Sequence, residues 1–254
     1  MKVNFKRISI YGFVILILVF CIFMCYKFFG FEKTKSQKIN VTNTMVNELY
    51  NYLPKGEMFN HGFYYNDRTN FDNISIEEVV YKYIEKYNSS ALKKISQEDV
   101  KKYKFNFKNA LYFLSEKDYK RIGQKIFGAD IKFAFGDFNI SNSLKAKYID
   151  KEGFIIYGAE LQKDNDNYII DSLINKYVIK DNGKTIVIYD NYVICNKDTG
   201  ICYNSEKKDV ENDQIKYYNG KTNLKGNLVS AGLYKHIFKY NDGKYYWFES
   251  YKCN

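Results

Sequence analysis

Two cysteines, Cys195 and Cys202, are spaced so that a short hairpin would bring them opposite each other. They lie in the stretch "VICNKDTGICY", where Lys197–Gly200 fits a four-residue hairpin loop and Gly200 supplies a positive φ. The two cysteines would then form a non-hydrogen-bonded pair with Cα atoms roughly 4.5 Å apart, which a disulfide accepts. We predict a structural disulfide. Two free thiols, or a redox or metal role, are the alternatives.

Only two histidines, His61 and His236, are available for acid–base or metal chemistry. His236 lies in the last of the predicted β-hairpins. If the turn of that hairpin has two residues, His236 pairs with Glu249, which would give an oriented imidazole. If the turn has one residue more, His236 faces Phe248 instead. The ordinary alternative is a histidine packed beside aromatic side chains on a sheet face.

Motifs that would identify an enzyme are missing from the sequence. It has no C-x-x-C pair, no H-E-x-x-H, no G-x-S-x-G and no glycine-rich phosphate loop. Asp164 and Asp166 begin like a calcium loop, but Tyr168 occupies the next ligand position and the turn glycine is missing. We therefore assign no catalytic residue, no metal and no cofactor. Two carboxylates that meet only in the fold remain possible among the 29 acidic residues.

Aromatic residues crowd one loop and the last strand, in a chain with 26 Tyr and 20 Phe. Exposed aromatic side chains can bind sugars, peptides or partner proteins. Core packing, together with a codon bias toward Tyr and Phe, is the simpler explanation for most of them. The candidate binding surface consists of His61, Tyr64, Tyr65, His236, Trp247 and Glu249.

The net charge of +10 is carried mostly by lysine, since the chain has only three arginines, Arg7, Arg68 and Arg121. Specific phosphate recognition in nucleic acids usually relies on arginine, so we do not expect nucleic acid as a partner. The lysines predict a solvated basic surface, or one that faces anionic wall polymer or lipid headgroups.

An apolar segment near the N-terminus decides the class of protein. Ile8–Tyr26 contains 19 residues without a charge, and about 20 are needed to cross a bilayer as a helix. We predict a signal anchor over residues 1–30 with a transmembrane helix at about 8–29. A cleaved signal peptide fits less well because no small-residue cleavage pattern follows. Lipidation at Cys21 or Cys25 also fits poorly, because a large residue precedes each of them.

The rest of the chain is predicted to be an extracytoplasmic α+β domain at residues 40–254, joined to the anchor by a charged tether at 31–39. Apolar spacing and caps such as Ser75, Ser96 and Ser115 predict helices between about 40 and 127. Alternating patterns then predict antiparallel strands between about 130 and 252, beginning with "IKFAF". A run of helices followed by a run of strands predicts a helical part packed on one antiparallel sheet.

The stretches "LYNYLP", "IFG" and "FKYNDGKYYWF", together with the anchor, resemble uncharacterised membrane-anchored proteins of low-GC Gram-positive bacteria. That resemblance implies a membrane-anchored layout and no particular activity. Helices on a curved antiparallel sheet are also similar to cystatin-like and NTF2-like folds, which says nothing about function.

Three functional hypotheses follow from these observations. The first is a single-pass envelope protein, held in the bilayer by residues 8–29, whose domain binds or scaffolds without catalysing a reaction. The second is an envelope hydrolase with carboxylates that the sequence does not identify. The third is an assembly component that contacts other envelope proteins in a secretion or division complex.

Overall fold

Two antiparallel sheets and four α-helices form the part of the chain that the structure describes. The structure is a computed structural model, and it describes residues 38–57, 64, 67–103, 109–141, 143–159, 168–204 and 211–253. The helices are α1 (Asn43–Tyr50), α2 (Ile76–Tyr87), α3 (Gln97–Lys102) and α4 (Glu116–Phe127).

The larger sheet has nine strands and is organised around β9. One edge of β9 pairs with β8 along the whole of β8, and the other edge pairs first with β13 and then with β10. The strands of this sheet are β1 (Gly56–Glu57), β2 (Arg68–Thr69), β8 (Tyr168–Lys180), β9 (Thr185–Asn196), β10 (Ile201–Tyr203), β11 (Glu211–Tyr218), β12 (Lys221–Thr222), β13 (Gly232–Asn241) and β14 (Lys244–Cys253).

The smaller sheet has five strands in the order β3-β4-β7-β6-β5. Its strands are β3 (Leu92–Lys94), β4 (Ala110–Ser115), β5 (Phe138–Ser141), β6 (Leu144–Ile149) and β7 (Gly153–Gly158). Helix α4 contacts both sheets. Tyr119 packs 4.8 Å from the ring of Phe154 in the smaller sheet, and Phe127 packs 5.7 Å from Trp247 in the larger one.

Hydroxyl caps begin all four of these helices. The side chains of Thr42, Ser75, Ser96 and Ser115 each accept a hydrogen bond from the backbone N–H three residues later, which satisfies a donor that the helix itself leaves free. Gly128, with φ of +98°, ends α4. The predicted caps of α2, α3 and α4 are therefore confirmed.

The α+β class and the antiparallel pairing are confirmed, but the predicted arrangement of elements is wrong in three respects. The described residues form two sheets and not one, and β3 and β4 lie inside the part that was predicted to be helical. The segment "IKFAF" is not a strand. Phe133 and Phe135 instead pack their rings against Tyr119, so their alternation reflects core packing without a β-ladder.

The predicted membrane segment, residues 8–29, lies outside the described residues. Among the helices that are described, none is long and apolar enough to span a bilayer.

Candidate functional site

Polar side chains of four adjacent strands meet on one buried face of the larger sheet. In β13, Tyr234 lies opposite Asp190 of β9. His236, two residues after Tyr234, lies opposite Ser250 of β14. Because side chains two residues apart share a face, these side chains converge under α1 and the chain near Tyr64. The group, called the polar cluster below, consists of Tyr50, Tyr64, Ser172, Asp190, His236, Trp247 and Ser250.

Asp190 is the centre of the polar cluster and is fully buried. Its Oδ2 accepts hydrogen bonds from the hydroxyls of Tyr50, at 3.0 Å, and Tyr64. Its Oδ1 lies 3.1 Å from Nε2 of His236. A buried carboxylate is strongly unfavourable without partners, and three donors from separate parts of the chain satisfy this one.

The tyrosine hydroxyls act as donors because they keep their protons. Burial, followed by the charge of Asp190, raises the pKa of both Tyr50 and Tyr64 far above the ordinary value. The hydroxyl of Ser172 lies 2.9 Å from the oxygen of Tyr50 and 3.0 Å from that of Tyr64, which completes the contacts on this side of Asp190.

His236 joins Asp190 to Ser250. Its Nδ1 lies 2.7 Å from Oγ of Ser250, which accepts a hydrogen bond of 2.8 Å from Nε1 of Trp247. One placement of hydrogens satisfies this chain: the indole N–H donates to Ser250, the serine hydroxyl donates to Nδ1, and Nε2–H donates to Asp190. A neutral imidazole therefore fulfils every contact in the series.

Ser250, His236 and Asp190 are the three residue types of a hydrolytic triad, but their setting does not suit catalysis. All three are completely buried. A nucleophilic serine must meet its substrate, whereas here the hydroxyl already lies between an indole N–H and an imidazole inside the core. The arrangement is suited to holding strands and α1 together and not to attacking a substrate.

The structure does not expose the aromatic surface that the sequence suggests. Tyr64, His236 and Trp247 are at most 1 % exposed and Glu249 is 8 % exposed, so they cannot form a surface for a ligand. His61 and Tyr65 lie outside the described residues. Tyr64 and Trp247 fill the core because aromatic rings provide the largest apolar area to bury.

The predicted pairing of His236 with Glu249 is wrong, because a β-bulge intervenes. The turn does have two residues, since Asn241 pairs with Lys244. Strand β14, however, has one extra residue, Phe248, between the partners of Phe238 and Ile237. This bulge shifts the register by one residue, so Ser250 lies opposite His236.

Glu249 forms a different contact, an ion pair of 2.8 Å with Arg68. Burial acts to raise the pKa of Glu249, but hydrogen bonds from Tyr251 and Arg68 outweigh it, and the net pKa is lowered. Glu249 thus helps to attach β2 to β14 and takes no part in the polar cluster.

The disulfide between Cys195 and Cys202 is confirmed. The two residues are paired in the β9–β10 ladder with Cα atoms 3.9 Å apart, and Gly200 has a φ of +72° in the connecting loop. Both cysteines are fully buried in an apolar cluster on the opposite side of β9 from Asp190, together with Val193, Ile215 and Leu224. The bridge is therefore a structural clip for this hairpin.

A cleft lined by lysines is the feature that the sequence analysis missed. It has a volume of about 400 Å³, and β1, the end of α2, the start of β8 and the β11–β12 hairpin form its walls. Lys55, Lys86 and Lys221 line it, together with one acidic residue, Asp171. Among the described residues of the lining, the three lysines outnumber this carboxylate, one oxygen of which accepts a hydrogen bond from the hydroxyl of Thr222.

Lys55 is held where its charge is unfavourable. Its Nζ donates to the carbonyl oxygen of Ser172 at 3.0 Å and lies 3.8 Å from the centre of the Tyr50 ring. Burial lowers the pKa of Lys55 to about 8, and the charge of Lys86 acts in the same direction, against Asp190 and Asp171. A half-buried cation with a perturbed pKa in a cleft is typical of a functional site.

Sequence reasoning missed this cleft because its walls come from distant parts of the chain. Lys55, Asp171 and Lys221 are far apart in the sequence, and lysine is too abundant to mark a site by itself. The only local signal was the break at Pro54–Gly56, which follows the first helix and leads into β1.

No protein-family model matches the chain, and no curated protein or solved structure is significantly similar to it. The described residues also contain no group of three or more His, Cys, Asp or Glu side chains that could hold a metal ion. The geometry of the polar cluster and of the cleft is therefore the basis for any functional assignment.

Replacing Ser250 with alanine tests the structural role of the polar cluster. Ser250→Ala removes the hydroxyl between Trp247 and His236, and we expect the free energy of unfolding to fall by about 1–3 kcal/mol. Chemical denaturation measures this. Ser90→Ala, at an exposed serine, is the control and should change stability by less than about 0.5 kcal/mol. An equal effect of both variants would contradict the role of Ser250.

Thiol labelling tests the disulfide. In the unfolded, unreduced protein from an oxidising compartment, Cys253 should be labelled, whereas Cys195 and Cys202 should become reactive only after reduction. Replacing both bridged cysteines with serine should lower the free energy of unfolding by at least about 2 kcal/mol, because the short closed loop is lost and two hydroxyls are buried in an apolar cluster. Labelling of Cys195 and Cys202 without reductant would show that the bridge does not form.

Proposed function

We propose that this chain is a single-pass, membrane-anchored envelope protein whose extracytoplasmic domain binds a phosphate-rich anionic ligand in the lysine cleft without catalysing a reaction. The ligand is either a wall polymer with phosphodiester links or the headgroups of anionic lipids, which share the same chemistry. The main support for the proposal is the position of Lys55, whose ammonium group is half-buried at the wall of the cleft.

The cleft supports this proposal by its size and its charge. A volume of about 400 Å³ is within the range of small-ligand sites. Lysine ammonium groups bind phosphate oxygens as point charges, and an anion beside Lys55 would restore the solvation that burial removes. The excess of lysine over acidic residues in the whole chain would attract polyanions toward the domain.

The anchor and the compartment rest on the sequence. The uncharged run Ile8–Tyr26, preceded by Lys6 and Arg7, supports a signal anchor. The Cys195–Cys202 bridge is consistent with an oxidising compartment, where such a bond persists.

The hydrolase hypothesis has less support. The triad-like residues Ser250, His236 and Asp190 are sealed in the core, and among the described residues that line the cleft Asp171 is the only acidic one, with one oxygen bonded to Thr222. Glycoside hydrolysis needs two carboxylates on either side of the scissile bond, and the described residues of the cleft provide one.

Binding of a defined polyanion tests the proposal. The full chain in nanodiscs of phosphatidylcholine should bind poly(glycerol phosphate), and Lys55→Gln or Lys221→Gln should each weaken binding about fivefold, which corresponds to about 1 kcal/mol. Lys132→Gln is the matched control at an exposed lysine outside the cleft, and it should have little effect. Titration calorimetry measures the affinities.

The pH dependence identifies Lys55 within the same experiment. Because the pKa of Lys55 is lowered to about 8, the free chain loses this charge as the pH rises from 7 to 9, and affinity should fall over that interval. The phosphodiester does not titrate there, and Lys55→Gln should remove most of the fall. Nanodiscs with phosphatidylglycerol in place of polymer distinguish the lipid from the polymer. Unchanged affinity in Lys55→Gln and Lys221→Gln would overturn the proposed site.

A further inference from the structure

Among the described residues, no strand pairs with the outer edge of β8 over its second half. Strand β1 pairs with β8 only at Ile169 and Ile170, and no other described strand lies on that side. Six consecutive residues, Asn175–Lys180, are exposed, although β9 pairs with Lys176–Lys180 from the other side. This segment is called the β8 edge below.

The β8 edge has the composition of a strand that accepts another strand. Tyr177, Val178 and Ile179 are 36 %, 37 % and 43 % exposed, and these residue types strongly favour β-structure. Proteins usually protect an edge by covering it or keeping it short, because its free N–H and C=O groups form a template for pairing. Since β9 already fixes the conformation of β8, an added strand would not have to order it.

We propose that the β8 edge binds an extended, acidic segment of a partner protein, which adds to the larger sheet as an antiparallel strand. The partner segment has apolar residues opposite Tyr177–Ile179 and a carboxylate opposite each of the two flanking lysines, Lys176 and Lys180. This inference is independent of the lysine cleft and uses a different surface of the domain.

The two faces of the β8 edge define the pattern of the partner. Tyr177 and Ile179 lie across from Ile188 and Ile186 on the face that α1 covers, and the hydroxyl of Tyr177 donates to Oδ1 of Asn43 at 2.6 Å. Residues opposite them should be apolar to extend this covered face.

Lysines dominate the other face of the β8 edge. Lys176, Val178 and Lys180 alternate there, and Nζ of Lys176 lies 5.1 Å from the Tyr189 ring. Opposite charges directly across a ladder are favourable, so the partner should carry acidic residues four positions apart with an apolar residue midway. Five residues, of which the first and last are glutamate, provide this pattern.

A second copy of this chain fits the β8 edge poorly. Symmetric antiparallel pairing centred on Val178 would place Lys176 of one copy directly opposite Lys180 of the other, at both ends of the pair. Like charges in directly opposed positions destabilise a ladder, and the net charge of +10 repels a second copy as a whole. The charges therefore favour a different, acidic partner.

A charge-swap experiment tests the proposal with the full chain in phosphatidylcholine nanodiscs. The probe is a fluorescent peptide with the core Glu-Tyr-Val-Ile-Glu, and its counterpart carries lysine in place of both glutamates. Fluorescence anisotropy should show saturable binding of the glutamate peptide only. The double variant Lys176→Glu/Lys180→Glu should bind the glutamate peptide at least tenfold more weakly and should now bind the lysine peptide.

Two control variants assign the binding to the β8 edge. Lys132→Glu/Lys225→Glu changes the net charge equally at exposed lysines elsewhere and should leave binding unchanged. Lys55→Gln should also leave it unchanged, which excludes capture of the acidic peptide by the cleft.

A different role of the two lysines would give a different result. Lys176 and Lys180 could serve only to keep the β8 edge unpaired, as charged residues do on many edge strands. In that case the glutamate peptide fails to bind, and Lys176→Thr/Lys180→Thr makes the chain self-associate in sedimentation. That result, or binding of the glutamate peptide that the charge swap leaves unchanged, overturns the proposal.

Discussion

The buried carboxylate of Asp190 is the constraint on which the larger sheet and its cover depend. A carboxylate that is fully removed from water is tolerated only when hydrogen-bond donors surround it. The donors are Tyr50 in α1, the separate residue Tyr64, and His236 in β13. Elements that are far apart in the sequence are therefore fixed to one point on β9. The same constraint explains why His236 and Ser250, which together with Asp190 are the residue types of a hydrolytic triad, are enclosed in the core.

The polar cluster also determines where the charge of the cleft lies. The ring of Tyr50, held in place through its hydroxyl on Asp190, supports the ammonium of Lys55, and the strand that carries Ser172 accepts a hydrogen bond from it. The buried polar cluster thus fixes the position of Tyr50, and Lys55 is the group beside it that faces the cleft.

Much of the fold can be predicted from the sequence, because the periodic signals are strong where they occur. Serine caps mark α2, α3 and α4, and alternation marks β6, β8, β9, β13 and β14 to within a few residues. The bulge at Phe248 could not be predicted, because an extra residue leaves the composition of a strand unchanged while it shifts every later pair. The cleft could not be predicted either, because Lys55 and Lys221 become neighbours only after β8 and the β11–β12 hairpin are in place.

The most direct test of the account is a lysine footprint, in which the acetylation rate of each lysine is measured by mass spectrometry with and without poly(glycerol phosphate). We predict that the polymer slows acetylation of Lys55, Lys86 and Lys221, while exposed lysines outside the cleft, such as Lys132, react at unchanged rates. Protection spread evenly over the surface lysines, or confined to lysines away from the cleft, would contradict it.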